Sequence, residues 1–342
     1  MSNKAILLAN LGSPDSPDTS AVRRYLNEFL MDPYVIQLPW LFRRLIVSLF
    51  VLPKRPKASA RAYQSVWLSE GSPLIVLSQQ LQSALQTKVK HPVALAMRYG
   101  KPSIESQILN LAKDKDLTEI IFIPLYPHYA ESTVETSIAK AKQVIKKHGL
   151  NIKLSIVPPF YDHPDYIAAL VDSIAPYLQQ KHDHILFSYH GLPESHITKL
   201  DPSATHCLQQ QDCCSQPSSA HKNCYKHHTF NTTQAVVNAL NLSPSQYSSA
   251  FQSRLGRAKW LAPNTEDRLR ELAENGVKNL LVVCPSFVTD CLETLEEIQL
   301  RANAVFLEAG GESLTLLPCL NNNVKWIDTL ASWCHTDPHT HT

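Results

Sequence analysis

Residues 184–193 read HILFSYHGLP. Ile185, Leu186 and Phe187 form a short apolar run with the composition of a buried strand, and the run stops at a polar Ser188-Tyr189-His190 triplet followed by Gly191 and Pro193. Strands buried on both faces belong to parallel sheets covered by helices, and in such sheets a ligand meets the chain at the carboxyl ends of the strands. His190 is therefore the first candidate for chemistry. An imidazole, with an ordinary pKa of about 6.5, can exchange a proton at neutral pH or bind a metal through its free nitrogen. The plain alternative is a capping or core histidine satisfied by a carbonyl, but the rigid, close-approach turn at Gly191 and Pro193 favours the functional reading.

Working outward, short apolar segments alternate with helical periodicity along the whole chain. Strands are expected over 5–9, 93–97, 119–124, 153–157, 184–188, 280–284 and 314–317, and helices over 73–88, 103–114, 131–147, 164–180, 265–274 and 290–308. This order predicts an α/β protein with two four-stranded parallel sheets and a boundary near Phe160. Each half places a polar strand end ahead of a helix, at Tyr126-Pro127-His128-Tyr129 and at Ser188-Tyr189-His190-Gly191, and two such halves facing each other would make a cleft.

The composition narrows the function. With 342 residues, 44% hydrophobic and 18% charged, the chain is long enough for two globular domains. A net charge of +2 offers no electrostatic footprint for nucleic acid, so no nucleic-acid partner is expected. Neither G-x-G-x-x-G nor the P-loop lysine is present, which removes the usual phosphate cradles. The opening MSNKAILLANLGSP reads as a first strand and turn and not as a signal peptide, because its apolar run is short and lacks a small-residue cleavage site. Residues 35–52 are apolar and aromatic but contain Arg43 and Arg44, each costing roughly 2.5–3.5 kcal/mol at a bilayer centre, so a segment lying on a membrane surface fits better than a span. Eight cysteines without a secretory signal point to a reducing compartment, where clustered thiols bind metal more often than they form disulfides. The tail after Trp333, CHTDPHTHT, is expected to be unstructured.

The second half carries another constellation, CPSFVTDCLETLEEI from Cys284 to Ile298. Asp290, Glu293 and Glu297 are spaced i, i+3, i+7, which would line all three carboxylates along one face of a helix opening near Asp290. Capping by Asp290 and Glu293 would account for part of that stripe. Its continuation to Glu297 suits a metal path or a chain of proton acceptors. In the first half, Arg98 and Tyr99 end a strand and would suit a substrate carboxylate, although a surface arginine fits that stretch equally well.

These segments, LANLGSP, the Gly71-Ser72-Pro73 helix start, MRYG, PLYPHYAEST, SYHGLPES, FQSRLGRAKWLAP and CPSFVTDCLETLEEI, taken in order, resemble the ferrochelatases, which insert ferrous iron into a porphyrin in haem synthesis. The resemblance covers nearly the whole chain. It implies two Rossmann-like domains with an intervening cleft, here 1–160 with a hydrophobic lip, 161–310 with a Cys-rich insertion at 201–228, and 311–333 packing back on the first domain. It further implies that His190 is the catalytic, metal-contacting histidine and Glu293 the carboxylate facing it, with Asp290 and Glu297 as further metal-side carboxylates. Arg98, Tyr99, Ser188, Tyr189, Trp260 and Phe287 would form the porphyrin pocket. The implied partners are protoporphyrin and Fe(2+) as substrates, with peripheral membrane contact through the 35–52 lip of a cytoplasmic protein. Cys291 stands where some members have a histidine, so its role would pass to the acidic residues. The same residue types would also serve a chelatase for another tetrapyrrole or for cobalt, or a haem-binding or redox-sensing protein on this fold.

Between Leu200 and Thr229 the chain turns polar and dense in Cys and His, with Cys207, Cys213, Cys214 and Cys224 and no C-x-x-C pair, so the pattern is not a zinc ribbon. Four soft thiolates suit a two-iron, two-sulfur (2Fe-2S) cluster or zinc, against a metal-free loop. Some bacterial ferrochelatases resemble this chain in carrying an internal four-cysteine segment that holds a 2Fe-2S cluster.

Overall fold

In the computed structural model, which describes residues 3–254, 256 and 258–335, the chain divides into two units. The first holds the described residues up to Tyr126, residues 131–159 and those from Ile327 on; the second holds 127–130 and 160–326. Residues 311–326 thus stay with the second unit. Of the tail after Trp333, the last helix, Val324–His335, takes in Cys334 and His335, while 336–342 lie outside the described residues.

The first unit is a parallel sheet of β1 (Asn3–Ser13), β2 (Val93–Gly100), β3 (Leu117–Pro124) and β4 (Lys153–Ile156), in the order β2-β1-β3-β4. Ala5, Leu7 and Ala9 of the central strand pack with Ile104, Ile108 and Val144 of the helices on one face, and alternation sends the equally buried Ile6 and Leu8 to the other. Gly12, in the LANLGSP turn, has φ +114° and lies so close to the Tyr99 carbonyl that any Cβ would overlap it.

The second unit repeats this plan with β5 (His184–His190), β6 (Tyr247–Gln252), β7 (Asn279–Val283) and β8 (Ser313–Leu316), ordered β6-β5-β7-β8 and all parallel. Strand β6 escapes sequence reading because it lies at the sheet edge, where Tyr247, Ser248 and Ser249 are half-buried and lack the apolar run of a central strand. In each sheet the connections after the first and second neighbours run in opposite directions, which puts topological switch points between β1 and β3 and between β5 and β7.

The lip segment forms the helix Trp40–Ile46, continued by a π-helical turn over Val47–Val51. Arg43 folds inward, its guanidinium donating to the Leu38 carbonyl at 2.7 Å and the Ile36 carbonyl at 3.3 Å, and Arg44 reaches the Asn27 side chain at 2.9 Å. With both cations drawn aside, Trp40 (63% exposed), Leu41, Phe42, Leu49 and Phe50 (70% exposed) are left facing solvent. No helix among the described residues is long and apolar enough to cross a membrane.

Candidate active site

His190 is the last residue of β5, at the carboxyl edge beside the switch point of the second unit. Its Nδ1 lies 2.7 Å from the Gly191 carbonyl. A carbonyl only accepts, so Nδ1 carries the proton and Nε2 of the neutral ring keeps its lone pair for a proton or a metal. Gly191 is required by close approach: its N–H donates to the Gln252 carbonyl at 2.7 Å, and a Cβ there would stand 2.7 Å from that oxygen and 3.3 Å from the Trp260 ring. Trp260 is brought in by a bridge to Pro193.

Ser188 and Tyr189 are fully buried and support this strand end from beneath. Ser188 donates to the Gln252 side chain at 2.8 Å, and the Tyr189 hydroxyl pairs with Thr233 at 2.7 Å. Gln252, paired with His190 in the sheet, donates its amide to the Glu293 carbonyl at 2.7 Å. The loop after β7 adds Phe287, whose ring centroid is 6.2 Å from that of His190 at an interplanar angle of 66°. The structure thus gathers His190, Trp260, Phe287 and the Glu293 backbone around Gln252, a residue that sequence reading passed over although it sits in the FQS of a recognised motif.

The expected acidic stripe takes a different form. The helix opens at Leu292, not Asp290, with Cys291 as N-cap and a capping box between Cys291 and Thr294, and residues Leu295–Ala302 are π-helical, so the α period does not apply. Asp290 lies ahead of the helix with both oxygens occupied: Thr294 donates to one at 2.9 Å, and Asn321 (2.7 Å) and the Cys319 N–H (3.2 Å) to the other. Glu297 accepts from the Ser253 N–H at 2.7 Å and from its hydroxyl, and pairs with Arg301 at 3.2 Å. Glu293 is half-buried beside Cys291; burial, reinforced by the Glu293 charge, pushes the Cys291 thiol well above its ordinary range, so Cys291 stays protonated. Burial also raises the carboxyl of Glu296.

Arg98 and Tyr99 lie in the first unit and converge on Asp32. Arg98 forms an ion pair with this buried carboxylate, donates to Thr136 at 2.7 Å and sits 4.5 Å over the Tyr99 ring, while the fully buried Tyr99 donates its hydroxyl to Asp32 at 2.9 Å. Asp32 and Thr136 were not singled out by any sequence pattern.

The cysteine segment is more ordered than its polar composition predicts. Cys207, Cys213, Cys214 and Cys224 are all buried, and a helix, Tyr225–Ala239, begins directly after Cys224. The Asp201 carboxylate organises the turn by accepting from the His206 and Cys207 N–H groups at 2.8 Å each. Ala204, Leu208 and Asp212 adopt left-handed backbone conformations, a costly arrangement away from glycine that the surrounding packing must hold. The neighbouring Cys214 and Cys207 thiols lower Cys224, while burial pushes Cys207 up. Among the described residues no group of three or more His, Cys, Asp or Glu is arranged to hold a metal ion as it stands, and all four cysteines are free.

Histidines surround the segment. His206 and His221 both contact the Cys213 carbonyl, at 2.7 and 2.9 Å, and His227 contacts that of Cys214 at 2.7 Å. His228 donates through Nε2 to the His221 carbonyl at 2.9 Å and accepts the Tyr129 N–H at Nδ1, so both nitrogens are committed in the neutral form. Burial lowers His228 to about 3 and His128 well below 6.5.

A family model for ferrochelatase matches residues 3–337. The chain belongs to the ferrochelatase family. Relatives named ferrochelatase from Ectopseudomonas mendocina (strain ymp) and Stutzerimonas stutzeri (strain A1501) are 54% and 53% identical, each match covering 99% of both chains. Among solved structures, SirB from Bacillus subtilis with Fe3+ aligns over 97% of this chain and 94% of its own with a TM-score of 0.55, and the sirohydrochlorin chelatase SirB in complex with cobalt over 96% and 93% with a TM-score of 0.53. Their identities of 11% and 12% show the chelatase-like fold alone. Family membership makes the chain a metal chelatase of the lyase class, with the two parallel four-stranded sheets that its strand order predicts.

His228 is held neutral in the folded chain and titrates near 6.5 when unfolded, so below that pH the unfolded state binds the extra proton. Stability from this residue is fully present above about pH 6.5 and is lost as pH falls toward 3, amounting at pH 5 to about 2 kcal/mol. Urea unfolding followed by circular dichroism at pH 7.5 and 5 should show the loss. His228→Gln, whose amide can make both hydrogen bonds without titrating, should shrink it; an unchanged pH dependence would remove His228 from the account.

Proposed function

We propose that this chain inserts ferrous iron into protoporphyrin IX, the last step of haem synthesis, with His190 and Glu293 as its catalytic residues. One observation carries the assignment: the Gly191 carbonyl fixes the proton on Nδ1 and leaves Nε2 of His190 as a proton acceptor at the carboxyl edge of the sheet. Replacing two pyrrole protons by one dication releases two protons, so the site needs an acceptor that works near neutral pH and a carboxylate beyond it. His190 takes a proton at Nε2. Glu293, half-buried, supplies the carboxylate, and the neighbouring Cys291 thiol, held neutral by burial, is not a second base.

Trp260 and Phe287 provide aromatic wall for a flat macrocycle, and the buried Ser188 and Tyr189 stiffen the strand that carries His190. Arg98 is held at the end of β2 in the first unit by its ion pair with Asp32 and its bond to Thr136. Asp290 acts as a brace for the loop, since its oxygens are already filled, while Glu297 anchors Ser253.

Cys207, Cys213, Cys214 and Cys224 fit a 2Fe-2S cluster in kind: four buried thiols on one segment, one already lowered toward the thiolate. Such a cluster would supply cross-linking of the segment, and metal insertion asks no electron of it. The exposed apolar face from Trp40 to Phe50 suits peripheral contact with a membrane surface by a cytoplasmic protein.

Anaerobic assays with ferrous iron and protoporphyrin, followed by absorbance, should show turnover, and His190→Ala should lower it by at least about a hundredfold with the fold retained; surviving activity would remove His190 as the base. Turnover only with cobalt on an earlier tetrapyrrole would assign the other chelatase chemistry, and stoichiometric binding without turnover a haem-binding role. Protein purified anaerobically should be brown with visible charge-transfer bands, and a colourless, iron-free preparation would rule out the cluster. In vesicle co-sedimentation, the double variant Trp40→Ser, Phe50→Ser should bind at least about tenfold more weakly than the unaltered chain; equal binding would place the contact elsewhere.

A further inference from the structure

Tyr225 is the first residue of the helix Tyr225–Ala239, bonded covalently to Cys224, and it is almost fully buried. Its hydroxyl lies 2.8 Å from the His190 carbonyl and 2.8 Å from the Ser286 hydroxyl. Since the carbonyl can only accept, the Tyr225 proton is committed to His190, and the second bond is donated by Ser286. The ring is clamped edge-on by His128, with centroids 5.7 Å apart at 76°. Ser286 belongs to the turn after β7 that carries Phe287, and the neighbouring Pro285 carbonyl accepts from the Tyr166 hydroxyl at 2.8 Å. One phenol therefore ties the carboxyl end of β5 to the turn after β7, the two strands flanking the switch point.

Cys224 sits at the other end of this link. It is buried with Cys207 and Cys214, and its carbonyl accepts the His228 N–H at 3.0 Å in the first turn of the helix. A shift of the Cys224 backbone is carried to Tyr225 through their shared peptide bond, and with it to the hydroxyl that holds His190.

We infer that Tyr225 is a positioning residue for iron insertion, fixing the His190 strand end against Ser286 and making the placement of His190 depend on the order of the four-cysteine segment. This rests on His190 being the proton acceptor proposed above. The hydroxyl never meets substrate; it acts through the backbone of His190, so its loss costs alignment and not binding.

Tyr225→Phe keeps the ring against His128 and removes only the hydroxyl. Its kcat should fall by about tenfold or more, while KM and the porphyrin Kd from fluorescence titration change by less than about twofold. The His190 imidazole resonance of the substrate-free protein, assigned by its loss in His190→Ala, should shift in Tyr225→Phe. Ser286→Ala should lower kcat in the same direction, and the double variant should be no worse than Tyr225→Phe alone. Cys224→Ser should lower kcat in the unaltered chain but have little further effect alongside Tyr225→Phe. Unchanged kcat and resonance in Tyr225→Phe, or a loss confined to KM, would overturn the inference, as would a fully multiplicative effect of Cys224→Ser. If Tyr225→Phe does not fold, a wild-type kcat in Ser286→Ala decides against it. His190→Ala run in parallel separates the two failures: an active His190→Ala sinks the assignment of the base, whereas an inactive one beside a fully active Tyr225→Phe sinks only the positioning role.

Discussion

The site in the second unit depends on how closely two backbones approach. The Gly191 N–H meets the Gln252 carbonyl at 2.7 Å, and no residue with a Cβ could stand at 191 without displacing that oxygen or the Trp260 ring. This contact carries the pairing of β5 and β6 one residue past His190, so the imidazole projects from a strand end that is still hydrogen-bonded and cannot fray. The same approach brings the Gly191 carbonyl within reach of Nδ1, which selects the tautomer with a free Nε2. It also places the Gln252 side chain between Ser188 on one strand and the Glu293 backbone after another. A single glycine thus sets which nitrogen of His190 carries the proton and how the loop that bears Glu293 is attached.

Around that point burial keeps several ionisable groups of the second unit neutral. His128 and His228 lie where a charge would be costly, and the thiols of Cys284 and Cys291 are held protonated for the same reason. Cys224 goes the other way, lowered by the two neighbouring thiols. The imidazole contacts with the Cys213 and Cys214 carbonyls keep the surrounding turn satisfied while its thiols face one another. Local order in this polar stretch comes from hydrogen bonding, since little apolar surface is available to hold it.

Much of the fold was legible because central strands of a parallel sheet must be apolar on both faces. Residues 5–9, 119–124 and 184–188 fall within central strands for that reason, and 93–97, though in the edge strand β2, is legible because it is buried along almost its whole length. Edge strand β6 was not legible, since Tyr247, Ser248 and Ser249 need cover only part of one face. His190, Trp260 and Phe287 could be picked out from motifs at strand ends and in loops. Gln252, Asp32, Thr136 and Tyr225 could not, because their partners lie far along the chain: Asp32 meets Arg98, and Tyr225 meets His190 and Ser286. The acidic stripe failed for a local reason. Counting by the α period presumes an α-helix, and here the chain opens it later and then widens it into π turns.

By itself the sequence determined the alternation of strand and helix, the identity of the strand-end histidine and the family to which the chain belongs, because these follow from local composition and ordered motifs. Tertiary structure alone decided which nitrogen of His190 is free, that the Asp290 carboxylate is already occupied, and that Tyr225, next to Cys224, is bonded to the end of β5. Those outcomes depend on where hydrogen-bond donors and acceptors distant in sequence come to rest, and a donor's direction is fixed only when the backbone around it is.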